Sequence, residues 1–123
     1  MTLIGKCACG SVNYKIKDKP LFTQACHCNN CKISTGSSFV IHTMIFEDDF
    51  ELNGNVESTL LPTGSGKGYR AYFCNNCGIY THHNPRSNPS LTGFNLGCLD
   101  EIDTFELNDI QINDGKNHPL DKK

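Results

Sequence analysis

Polar and apolar residues alternate along Ser11-Val12-Asn13-Tyr14-Lys15-Ile16, so this segment reads as a strand with Val12, Tyr14 and Ile16 turned inward. Further strands are predicted over residues 38–44, 56–61, 69–73, 79–82 and 91–97. These stretches are rich in Val, Ile, Thr, Tyr and Phe and are bounded by Gly, Asn, Pro or Asp. Asn53-Gly54-Asn55 marks a turn between two strands. Residues 62–68, with their glycines and a proline, read as the loop of a hairpin. Residues 30–35 alone look helical, for a single turn. Phe39, Tyr69, Tyr72 and Phe94 are expected to fill the core. The pattern predicts one all-β domain over residues 1–112, followed by a polar tail over 113–123.

A chain of 123 residues suits a single domain. No stretch approaches the ~20 apolar residues that span a bilayer, so no membrane partner is expected. The opening Met1-Thr2-Leu3-Ile4-Gly5-Lys6 lacks the charged and apolar regions of a signal peptide, and a cytoplasmic location is expected. The formal charge is −2, and a slightly acidic domain is a poor partner for nucleic acid. Nothing in the chain fixes an oligomeric state.

Cysteine changes this picture most. Seven of the eight cysteines fall in three clusters: Cys7-Ala8-Cys9-Gly10, Cys26-His27-Cys28-Asn29-Asn30-Cys31 and Cys74-Asn75-Asn76-Cys77-Gly78. In a reducing compartment such density points to metal rather than disulfides. Cys7 and Cys9, read as extended chain, would offer two sulfurs from one face, and Cys74 and Cys77 have the spacing of a zinc knuckle. Together they make a closed structural zinc site. A glycine after each pair can take positive φ and turn the backbone around the metal. Cys26, Cys28 and Cys31 would leave one position of a second zinc open for a thiol such as glutathione. Cys98 or a histidine could instead close that site. His27 would point away from it if the segment is extended.

Clusters in this order resemble those of the glutathione-dependent formaldehyde-activating enzyme family, which includes the centromere protein V domain. The matching residues are Cys7 to Tyr14, Cys26 to Lys32 with Gly36, Phe73 to Gly78, and Gly97 to Asp100. The resemblance implies a β-tent fold, small antiparallel sheets around a structural zinc on Cys7, Cys9, Cys74 and Cys77. It also implies a catalytic zinc on Cys26, Cys28 and Cys31, and carbon–sulfur lyase activity on an S-hydroxymethylglutathione-like adduct. The middle cluster carries Asn29-Asn30 where many relatives have Gly and a basic residue.

Lys32, beside Cys31, is the favoured partner for a substrate carboxylate, with Lys67, Arg70 and Arg86 as other candidates. His82 and His83 could carry protons near a bound thiolate, although adjacent histidines at a strand end are more often surface residues. Two alternatives to the lyase are a non-enzymatic zinc-binding interaction module and a thiol redox switch that releases zinc.

Overall fold

The computed structural model describes residues 3–17, 21–27, 29–46, 49–61, 69–85, 90–100 and 110–113, with only the backbone of 29, 30, 34 and 113. Ten strands are present among these residues: β1 (Leu3–Lys6), β2 (Asn13–Ile16), β3 (Phe22–Cys26), β4 (Val40–Phe46), β5 (Phe50–Asn53), β6 (Val56–Leu61), β7 (Tyr69–Cys74), β8 (Tyr80–Asn84), β9 (Leu91–Asn95) and β10 (Gln111–Asn113). One α-helix, α1 (Asn29–Thr35), follows β3, and a 3₁₀ turn (Leu96–Cys98) follows β9. The all-β expectation holds.

The strands form two sheets. One has three strands in the order β1-β2-β5, and the other seven in the order β10-β3-β4-β9-β8-β7-β6. Every pairing is antiparallel except that of β10 with β3. Asn113, expected at the start of the tail, closes this parallel pairing opposite Cys26. The remaining tail positions lie outside the described residues, as does the 62–68 loop. The flanking strands β6 and β7 pair antiparallel, with Leu61 opposite Tyr69.

The core lies between the sheets. Tyr14 and Ile16 of the small sheet meet Ile45 and Phe94 of the large one, together with Leu96 and Leu99 from the 3₁₀ turn and the residue after it. Val12, Tyr14 and Ile16 are all buried, as their alternation predicts. Tyr69 and Phe94 are buried, but Phe39 is 40% exposed. Its ring stacks on the exposed ring of His27, with centroids 4.8 Å apart, rather than entering the core. The Asn53-Gly54-Asn55 turn joins β5 to β6 and so carries the chain from one sheet to the other.

Cross-strand register divides the large sheet into two faces, because side chains directly opposite each other share a face. Ala25, Ile41, Thr43, Ile45, Phe94 and His82 face the core. The other face carries Cys26 opposite Val40, Gln24 opposite His42, His42 opposite Asn95, and Gly93 opposite both Met44 and His83. A bulge alters β8. Tyr72 pairs with His82 and Phe73 with Tyr80, leaving Thr81 as the extra residue. The bulge puts Tyr80 on the same face as His83.

Candidate functional site

The closed cysteine site is assembled from two turns. Cys7 follows β1, and its N–H donates to the Val12 carbonyl at 3.0 Å while the Gly10 N–H donates to the Cys7 carbonyl at 3.2 Å. Cys74 ends β7 and repeats the pattern: its N–H donates to the Ile79 carbonyl, and the Gly78 N–H donates to the Cys74 carbonyl, both at 3.0 Å. Gly10 and Gly78 have φ of 79° and 78°, the left-handed conformation that closes each turn. The segment from Cys7 to Gly10 is therefore a turn, not the extended chain expected from its i, i+2 spacing. Its sulfurs converge because the backbone curls around them.

The four sulfurs of Cys7, Cys9, Cys74 and Cys77 all lie within 4.8 Å of one another. Cys7 and Cys9 are 3.6 Å apart, and Cys9 and Cys74 are 3.8 Å apart. A tetrahedral ion with Zn–S bonds of ~2.3 Å separates its sulfurs by about 3.8 Å. The described cysteines are all free of disulfides. This cluster can bind one metal ion such as zinc.

Its electrostatics favour thiolates at Cys9 and Cys74, while the Cys77 pKa is raised. The Val12 N–H donates to Cys7 Sγ at 3.4 Å, and the N–H groups of Asn76 and Cys77 donate to Cys74 Sγ at 3.3 and 3.4 Å. The Ser11 hydroxyl lies 3.0 Å from Cys9 Sγ and 3.3 Å from Cys74 Sγ. Hydrogen bonds from Ser11, and then Asn76, lower the Cys9 pKa to about 5. Ser11, and then the Cys77 N–H, bring Cys74 to about 7. Donors aimed at the ionised form favour it, and a thiolate is the form that binds metal. Ser11 was not singled out from the sequence; a serine two places after a Cys-x-Cys pair gives no distinctive signal.

The middle cluster lies elsewhere, at the end of β3 and the start of α1. Cys26 is 7% exposed on the large sheet's outer face, and Cys31 is half-buried on α1. Cys28 lies outside the described residues, as do Lys67 and Arg86. Lys32 is exposed on α1. Arg70 donates to the Ser58 hydroxyl at 2.9 Å on the far side of the sheet, across the β6–β7 pair.

Around Cys26 and Cys31 the fold gathers polar aromatic side chains. The Tyr80 hydroxyl lies 2.7 Å from His42 Nε2. The His42 and His83 rings are 4.2 Å apart, and Tyr69 packs edge-on against His83. Nδ1 of His83 donates to the Gly93 carbonyl at 3.3 Å, which fixes that ring's hydrogen on Nδ1. Burial, then the charges of Cys31, Tyr69 and Cys26, raise the Tyr80 pKa well above its ordinary value. Register places Tyr80 on the sheet face that carries Cys26. Burial, then His83, lowers His42 well below the usual histidine value, so its ring is neutral.

His82 and His83 are 5% and 7% exposed, so the expectation of surface histidines fails. They also diverge: His83 joins the cysteine face, while His82 enters the core, stacked on Tyr72 and Phe94. Neither His42 nor Tyr80 belongs to a cysteine cluster, so no sequence signal marks them. Cys98 donates to the Tyr80 carbonyl at 3.7 Å and packs against the core. Burial, then the charge of Cys7, pushes its pKa up to about 11.

Beside Val40, the cross-strand neighbour of Cys26, lies an open groove of about 470 Å³. Thr35, Phe39, Val40, Asn95 and Leu96 line it, and no charged side chain among the described residues does. No helix among the described residues is long and apolar enough to cross a membrane.

Comparison with known proteins agrees with this geometry. A crystal structure of a Rhodobacter sphaeroides protein superposes with a TM-score of 0.70 at 27% identity, covering 89% of this chain and 99% of that one. Residues 2–112 match the family described as "Glutathione-dependent formaldehyde-activating enzyme". With two metal-type cysteine turns joined into one cluster and a matched span covering nearly all of its length, this chain belongs to the glutathione-dependent formaldehyde-activating enzyme family.

Proposed function

We propose that the chain is a zinc-dependent carbon–sulfur lyase that forms or cleaves an adduct of glutathione or another small thiol, of the S-hydroxymethylglutathione type. Cys7, Cys9, Cys74 and Cys77 hold a structural zinc. Cys26, Cys28 and Cys31 hold a second, catalytic zinc with one position open. Family membership supports the substrate class. The observation that carries the division of labour is the separate placement of Cys26 and Cys31. Neither joins the four-sulfur cluster: Cys26 stands on a sheet face bearing Tyr80, His42 and His83, and Cys31 follows on α1.

Zinc held by three thiolates would keep a fourth, exogenous sulfur deprotonated and ready to add to, or leave from, carbon. The chain's own residues then bind and orient. The uncharged groove beside Val40 receives the body of the adduct, and Lys32, one residue beyond Cys31, meets a carboxylate. A reducing cytoplasm would keep so many thiols in the metal-binding state.

Zinc per chain, measured by elemental analysis, tests the reading. Wild type should hold two zinc ions and Cys28→Ser one, with the second responsive to glutathione. Cys28→Ser should also lose turnover of formaldehyde with glutathione. Full turnover in Cys28→Ser would sink the proposal, as would a second zinc indifferent to glutathione.

A further inference from the structure

We infer that the Tyr80 hydroxyl, braced by His42, is the hydrogen-bond donor that meets the oxygen of the thiol adduct as its carbon–sulfur bond forms or breaks. This rests on the lyase reading above and adds a catalytic residue to it. The cysteine clusters alone cannot supply such a donor, because a thiolate can only accept.

Three features of the fold converge on this hydroxyl. First, the Thr81 bulge turns Tyr80 onto the face that bears Cys26 and His83; regular pairing would send it to the other side. Bulges recur where a side chain must be re-aimed. Second, His42 Nε2 stands 2.7 Å from the hydroxyl oxygen. With its hydrogen on Nε2, the neutral His42 ring donates to that oxygen and leaves the phenolic hydrogen free to be donated to a ligand. Third, His83 backs His42 and is seated by Gly93. A Cβ on Gly93 would come within 2.5 Å of His83 Cε1 and 2.9 Å of its Nδ1.

Stability alone does not call for this arrangement. The apolar core lies on the sheet's opposite face, and burying His42 and His83 costs desolvation that apolar side chains would avoid.

In the direction of addition, a sulfur lone pair forms the C–S bond and the carbonyl π pair moves onto oxygen. The Tyr80 hydrogen bond stabilises that alkoxide as charge develops. The alkoxide takes its proton from solvent, balancing the proton that the thiol released. Cleavage runs the same steps backward. His42 and Gly93 are positioning residues in this scheme.

The test uses zinc-loaded protein titrated by calorimetry with S-(2-hydroxyethyl)glutathione and with S-propylglutathione, which lacks the hydroxyl. Wild type should favour the hydroxyl ligand by about tenfold, the worth of one well-placed hydrogen bond. Tyr80→Phe should bind both alike, with zinc content and circular dichroism unchanged. In turnover, its kcat should fall roughly 100-fold with KM little altered. His42→Leu, which fills the buried site but cannot brace the hydroxyl, should also lose the preference. Retained preference in both variants overturns the inference. Equal binding of both ligands by wild type overturns it while leaving the thiol-adduct reading intact. Failure of wild type to bind either ligand overturns both.

Discussion

Cys9 Sγ lies 3.8 Å from Cys74 Sγ although 65 positions separate them in the chain. One turn precedes the small sheet's second strand and the other ends β7 of the large sheet, so a metal shared by these sulfurs ties the two sheets together. Metal binding at such a junction is folding free energy, on the order of 10 kcal/mol for structural zinc. Cys74→Ser should lose this zinc and unfold or aggregate. Elemental analysis with circular dichroism checks it, and a folded variant with undiminished zinc would refute the assignment.

Gly54 controls how the two turns meet. Its φ is 106°, and a Cβ there would collide with the Ser11 carbonyl and approach Val12 Cα to 2.9 Å. The neighbouring Asn55 carbonyl accepts from the Asn75 N–H at 3.1 Å, so the same turn touches both metal-binding loops. Gly54→Ala combines backbone strain with a collision against main chain, and should cost more than about 2 kcal/mol. It should also weaken zinc retention by displacing Ser11 from Cys9 and Cys74. Urea denaturation and competition with a chelator measure the two effects; an unchanged midpoint would show that the turn yields without strain.

How much of this was legible in the sequence depended on whether the signal was local. Val12, Tyr14 and Ile16 announced their strand by alternation, and the Cys-x-Cys and Cys-x-x-Cys pairs announced a metal site by composition. Strands β1, β3, β5 and β10 were missed. Each is only three to five residues long, too short to show a period, and gains its strand character from the neighbour it pairs with. Tyr80 and His42 were invisible for a different reason. Their proximity depends on the order of strands in the sheet and on a one-residue bulge, and neither leaves a mark on nearby sequence. His82 and His83 misled because adjacent strand residues face opposite ways, and here both faces are covered.

Tyr14 offers a prediction of opposite sign to most core substitutions. Its ring is 1% exposed and packs on Phe94 with centroids 4.4 Å apart. Its hydroxyl has no hydrogen-bond partner among the described residues. The nearby Cys98 thiol interacts with it electrostatically but donates to the Tyr80 carbonyl. Burial, then the charge of Cys98, raises the Tyr14 pKa, in keeping with an apolar surrounding. An orphaned hydroxyl costs roughly 1–3 kcal/mol of desolvation. Tyr14→Phe keeps the ring and should leave stability unchanged or raise it by about 1 kcal/mol, read as Tm by calorimetry. A clear loss of stability would reveal a partner for the hydroxyl.

His82 makes the fold sensitive to mild acid. Burial, then the neighbouring His83, lowers its pKa from 6.5 to about 4. Its Nδ1 shares a hydrogen bond with the Thr81 hydroxyl at 2.8 Å, and its ring stacks flat on Tyr72 at 4.5 Å, so protonation would place a charge among core rings. Above pH 6.5 the ring is neutral in both folded and unfolded chains, and its contribution is complete. Between pH 6.5 and 4 the unfolded chain takes up the proton while the folded one resists. Stability therefore falls with pH across this window, by roughly 3 kcal/mol in all. His42, shifted the same way, adds to the loss. Metal release also destabilises the fold in acid, so the informative quantity is a difference. Urea midpoints at pH 7 and pH 4.5 should fall less in His82→Phe than in wild type, since both proteins share the zinc term and only one carries the histidine. Equal falls would mean that His82 titrates alike in both states.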